Sequence, residues 1–206
     1  MKKQLLTVMA VVILALTAFA APVAQAKPPT SPLNHGPITN RYSGDTAYGI
    51  SWSTTDGCIY SNVSVMASTG QYATLSIERI DYCTWTWLGS LPGSAAIDKN
   101  SFQMDQQLNS AYLQINIPVT DWYTGVASNF AVDLTWTGSG ELLKGKTRNQ
   151  YQSPTCKYTY TSSGSSRNAT ISGSISDGST EYLNSATATG SLQSVKSGDM
   201  MMGCGM

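Results

Sequence analysis

One histidine and four cysteines in 206 residues set narrow limits on the chemistry open to this chain. His35 lies among Pro28, Pro29, Pro32 and Pro37. A Ser-His-Asp triad would therefore need a proline-rich stretch to fold back over the rest of the molecule. The chain contains no Gly-x-Ser-x-Gly elbow, zinc-protease helix motif or phosphate-cradling glycine loop. Carboxylate chemistry asks for less, because glycoside hydrolysis needs only two acids about 5 to 9.5 Å apart. Glu78 with Asp81, and Asp98 with Asp105, are candidate pairs. Asp98, Asn100 and Asp105, or Asp177 and Glu181, could offer oxygen ligands to calcium, but their spacing is not that of an EF-hand loop. Turn formation alone accounts for Asp and Asn at such places.

Soft ligands gather at the end of the chain. Met200, Met202, Cys204 and Met206 are of the type that selects Cu(I). Consecutive methionines do not converge on one ion without a bend, so the sequence assigns no metal and no cofactor. Lys144, Lys146 and Arg148 concentrate positive charge in five positions, which reads first as a solvated loop and second as an anion-binding patch. The sequons at Asn62 and Asn168 matter only in a glycosylating host.

Trp85 and Trp87 are the candidate ligand-binding residues. At i and i+2 on a strand they share one face about 6–7 Å apart, and sugar rings stack on such indoles. The competing expectation places both in the core, where large aromatics are usually found.

These residues need a scaffold, and its composition indicates which kind. Only 12% of residues are charged and the formal net charge is zero, which argues against a nucleic-acid partner. Lys2 and Lys3, an apolar run from Leu5 to Ala20 and the site Ala24-Gln25-Ala26 have the layout of a secretory signal peptide over residues 1–26. Its removal takes two of the twelve basic residues and leaves ten against twelve acids. No later stretch is long and apolar enough to span a membrane. The prolines suggest an extended arm over 27–43. From residue 44 to 198 the hydrophobic pattern has period two, as in Tyr48-Ile50-Trp52, Leu113-Ile115-Ile117-Val119 and Phe130-Val132-Leu134-Trp136. Turn signals such as Asp56-Gly57, Thr69-Gly70 and Asp177-Gly178 separate the runs. The expected fold is all-β: a single-domain antiparallel β-sandwich, jelly-roll or Ig-like, with a tail over 199–206. Residues 98–108 are the best helical candidate, though they also read as a strand, and Ser139 to Ser153 the longest loop. Pro118 inside a strong strand implies an edge or a bulge.

An exported chain with four cysteines is expected to form two disulfides. A two-residue turn at Gly70-Gln71 places Cys58 opposite Cys83. The hydrophobic pattern instead pairs Val63 with Ile77 and Val65 with Leu75, through a three-residue loop from Thr69 to Gln71. A bulge near Glu78-Arg79 would reconcile the two and turn Trp85 and Trp87 away from the face of Ile80 and Tyr82. Cys156 then pairs with Cys204 by default. Together these readings describe an exported, non-catalytic binding or envelope module whose partner is a glycan or envelope component. The alternatives are an inert surface or matrix protein and a carboxylate-dependent glycan hydrolase.

Overall fold

The computed structural model describes residues 38–55, 57–153 and 156–202. The signal-peptide segment, His35, Cys204 and Met206 lie outside the described residues. Among the described residues strands alone build the fold: β1 (Ile38–Thr55), β2 (Ile59–Ser68), β3 (Tyr72–Asp81), β4 (Thr86–Ala96), β5 (Phe102–Met104), β6 (Ser110–Thr120), β7 (Ala127–Ser153), β8 (Cys156–Ser176) and β9 (Thr189–Met202). They form one antiparallel sheet in the order β4-β3-β2-β1-β9-β8-β7-β6-β5, and β4 also meets β6.

That order corrects the expected sandwich. Jelly rolls and Ig domains need Greek-key connections between two sheets. Here each strand except at two seams neighbours the one next to it in sequence, and the sheet curls until β4 reaches β6. The alternating residues face one interior instead of two packed layers. Val63, Leu75, Ile77, Leu113, Ile117, Phe130, Leu134, Trp136, Ile171 and Leu192 fill it.

The closing seam is narrow, with Gly93 opposite Val119 as its single paired position. A side chain at Gly93 would run into the backbone oxygen of Pro118, so only glycine lets these strands touch. Pro118 explains why the seam is short. Asp121 N donates to Val126 O, and the alternation of antiparallel pairs from that point makes Pro118↔Asn129 a non-hydrogen-bonded pair. The N–H that proline lacks would have pointed toward β4. The edge position expected of Pro118 is thus the seam itself, half covered by β4 and half by the short β5.

Two other expectations change. Residues 98–108 form β5 with flanking turns and no helix. Residues 143–153 are not a loop: they continue β7 and pair with β8 from Leu143↔Ser166 to Ser153↔Cys156. Beyond the barrel, the sheet β1-β9-β8-β7 therefore projects as a four-stranded extension. It takes in residues 38–43 of the expected arm and 199–202 of the expected tail. Polar residues on both faces hid this extension from a search for hydrophobic alternation.

Candidate functional site

At Asp81 the chain leaves β3, and there its sequence dictates a turn. The Asp81 carboxylate accepts the N–H groups of Cys83 at 2.8 Å and Thr84 at 3.1 Å. Hydrogen bonds from the N–H and hydroxyl of Thr84, with that of Cys83, hold its carboxyl below the usual range. The turn swings Cys83 back to Cys58, and the two are joined in a disulfide with Cα atoms 5.2 Å apart.

The expected bulge between β2 and β3 is absent. Val63 faces Ile77 and Val65 faces Leu75 in one unbroken register from Ile59↔Asp81 to Ala67↔Ala73. The turn absorbs the one-residue offset that the bulge was meant to supply. A register shift does occur at Arg79/Ile80, but against β4, where Arg79 faces Gly89 and Ile80 faces Trp87.

That shift decides where the tryptophans go. Trp87 lies on the outer face of β4 beside Ile80, not away from it. Trp85 is not on a strand at all: it occupies the turn before β4 with φ +54°. Both are exposed, Trp85 at 80% and Trp87 at 49%, so neither builds the core. Trp85 packs edge-on to Tyr82 with ring centroids 5.4 Å apart. Tyr82 meets Tyr60 at 5.5 Å, and Tyr60 stacks on Trp52 at 5.9 Å.

The result is a continuous aromatic band crossing β1, β2 and the β3–β4 turn on the outside of one end of the barrel. Asn62 and Glu78 lie in the neighbouring row, opposite Trp52 and Ser90 respectively. The band is anchored on its far side. Thr187 Oγ1 accepts the N–H of Trp52 at 3.0 Å, and Asn184 Nδ2 donates to the Trp52 carbonyl at 3.0 Å.

Sequence reasoning missed a further pair of exposed aromatics. Trp122 and Tyr123, exposed at 77% and 80%, project from the β6–β7 turn. Asp121 accepts the N–H groups of Tyr123 and Thr124, and Trp122 N donates to Ser90 O at 3.0 Å, which docks the turn against β4. The signal was present in Asp121-Trp122-Tyr123-Thr124-Gly125. Aromatics embedded in turn formers have no buried strand face to enter.

Of the carboxylates considered for catalysis or calcium, Glu78 is exposed in mid-strand on β3, and the others are engaged by turns. Asp98 accepts the N–H groups of Asn100 and Ser101, Asp105 that of Asn109, and Glu181 those of Ile175 and Leu183. These backbone hydrogen bonds hold the Asp98 and Asp105 carboxyls low. Asp177 goes furthest: the Ser179 hydroxyl and N–H, then Thr180 N–H and Tyr182 OH, lower it to about 2. A carboxyl lowered by folding stabilises the fold above its unfolded pKa and loses that contribution as pH falls through the folded value. Asp177→Asn should therefore destabilise the protein near neutrality, while the two proteins' melting temperatures converge as pH drops from about 4 to about 2. A constant gap across that window in a thermal melt series would contradict the assignment.

Among the described residues, the three with metal-ligand atoms in mutual reach are Cys58, Asp81 and Cys83. Both sulfurs are used by the disulfide. Met200 and Met202 sit on one face of β9 with Met201 on the other, and the remaining copper candidates, Cys204 and Met206, lie outside the described residues. Cys156 is disulfide-bonded, and Cys204, its expected partner, lies outside the described residues. No family model matches the chain, and no curated protein or solved structure is significantly similar to it.

Proposed function

We propose that the protein is an exported, non-catalytic binding module that holds glycan chains on the aromatic band at one end of its barrel. The observation that carries this reading is the unbroken run Trp52–Tyr60–Tyr82–Trp85, exposed at every member except the half-buried Tyr60, with Trp87 beside it. Sugar rings present apolar C–H faces to such rings. Asn62 and Glu78, one row away, supply the polar groups that sugar hydroxyls need.

The backbone of Trp85 adds to the case. A left-handed conformation costs a non-glycine residue about 1–3 kcal/mol, and such cost is typically retained where a side chain is needed. Folding alone would be served by glycine there. Export is supported by the Cys58–Cys83 bridge, since disulfides persist in oxidising compartments. The hydrolase alternative needs one carboxyl kept protonated near neutral pH. Asp81, Asp98 and Asp105 are pushed the other way.

The test is retention of the protein on immobilised glycans, first across a panel and then with variants. Trp85→Gly/Trp87→Ala should lose retention at least tenfold, the effect of removing about 1.4 kcal/mol of binding. Its unfolding free energy should change by less than about 1 kcal/mol, because neither ring is buried. Native protein that no glycan on the panel retains, or a variant that unfolds, would sink the proposal.

A further inference from the structure

The four-stranded extension carries a second surface, unrelated to the aromatic band. Residues directly opposite in an antiparallel ladder share a face, so the register fixes which side chains lie together. In the row Arg41–Gly198–Thr161–Arg148, both ends are cations. The row Ser43–Lys196–Ser163–Lys146 has two more, and the row Asp45–Ser194–Ser165–Lys144 a fifth. Lys157 lies on the same face, opposite Met202 and Gln152. Seven of the ten basic residues after position 26 thus register on one face; Arg167, opposite Leu192, is engaged with Asn109 and Gly140, and the other six are exposed. Asp45 is the only carboxylate among the registered residues of that face.

This face is concave. It continues the barrel interior, since Ala47, Ala169 and Leu192 fall on it further along the same strands. A groove of about 500 Å³ is lined there by Arg41, Ser43, Lys146, Thr161, Lys196 and Gly198, among others. The floor consists of glycine and small hydroxyl residues, and the cations rise from the outer strands and from Lys196. Along β7 the charges repeat about every 7 Å, and across the sheet they are two to three strand spacings, about 10–14 Å, apart. These distances are close to one Debye length in physiological salt, so the charges reinforce one another toward a ligand that spans them.

We propose that this groove binds a linear acidic polysaccharide, one bearing carboxylates along its chain. A polyanion is the complement of six cations, and the hydroxyl floor suits sugar hydroxyls. The face has no aromatic side chain at its registered positions and Tyr42 is the one aromatic residue lining the groove, so single-stranded nucleic acid would not find the run of stacking platforms on which such binding depends. A flat bilayer reaches the rims of a concave groove but not Lys196 on its inner strand. The site does not depend on the aromatic band.

The experiment uses the chain from Lys27 onward with a size-defined oligogalacturonate, and a neutral galactan of equal length as control. Binding should be detectable in low salt and fall steeply as salt rises, whereas any retention of the neutral glycan on the aromatic band should be insensitive to salt and to changes at Lys146 and Lys196. Lys146→Gln/Lys196→Gln should weaken it about tenfold and Lys146→Glu/Lys196→Glu more, with unchanged melting temperature because both side chains are exposed. Lys99→Gln, on the β4–β5 turn, should bind as the native protein does. The proposal is overturned if oligogalacturonate does not bind, or if the Lys146/Lys196 variants bind unchanged. Tighter binding of a single-stranded oligonucleotide or of phosphatidylglycerol vesicles would assign the groove to that ligand instead. Loss of binding in the tryptophan variant would move the acidic glycan to the aromatic band.

Discussion

Trp136→Ala should cost about 3–5 kcal/mol of stability, the range for truncating a fully buried aromatic, and the result should lie toward the upper end. The reason is local. Trp136 is completely buried, and its indole Nε1 donates to the Tyr48 carbonyl at 3.0 Å across the barrel. The positions facing the ring are Gly49 and Gly190. A Cβ at Gly49 would lie 3.3 Å from Nε1, and one at Gly190 3.1 Å from the neighbouring indole carbon. The two glycines leave room for the ring and have no side chains of their own to relax into the space left by its removal, so Ile171, which reaches both positions, is the neighbour left to fill it. Truncation also leaves the Tyr48 carbonyl without its indole donor, a further loss of roughly 1 kcal/mol or more. Equilibrium urea unfolding should show a lower midpoint with an unchanged slope. A loss below about 1 kcal/mol would mean that the barrel is not packed around this residue.

Cys58→Ala/Cys83→Ala should be the next most damaging change. The two residues are 25 apart in sequence, and the chain-entropy model gives about 3.5 kcal/mol for a loop of that size. Its effect should also be felt outside global stability. The turn that carries Cys83 also carries Tyr82 and Trp85, and hence one end of the aromatic band. Reduction should loosen that turn before the barrel melts, so tryptophan fluorescence should change in reductant at temperatures where far-ultraviolet circular dichroism does not. Coincident loss of both signals would place the bridge in the cooperative core instead.

The aromatic band and the basic face show what kind of information local pattern carries. The alternation of Val63 and Val65 with polar residues, and of Leu75 and Ile77, was enough to pair β2 with β3 in the observed register and to fix a loop at Thr69–Gln71. A one-residue slip would have turned every buried side chain to water, so register is written into the sequence wherever one face is apolar. The Cys58–Cys83 bridge follows from the same hairpin. Its route could not be foreseen, because an Asp81-capped turn and a bulge after Arg79 solve the same offset, and only the surrounding contacts choose between them.

Whether these strands form a sandwich or a single curled sheet was beyond the pattern. Both put alternate residues inside, and the difference lies in which distant strands meet: β1 with β9, and Gly93 with Val119. The strand between Leu143 and Ser153 was unreadable for a different reason: with both faces wet, it has no hydrophobic period at all. The sequence determined that this is an all-β chain with an apolar interior and one cross-linked hairpin, because each of those is set by neighbours a few residues apart. The tertiary structure alone decided that Trp52 joins Trp85, and that Arg41, Lys146 and Lys196 share a groove. Those groupings depend on sheet closure and on ladders between residues up to 163 positions apart, as in Ile38 opposite Met201, and nothing in a local window encodes them.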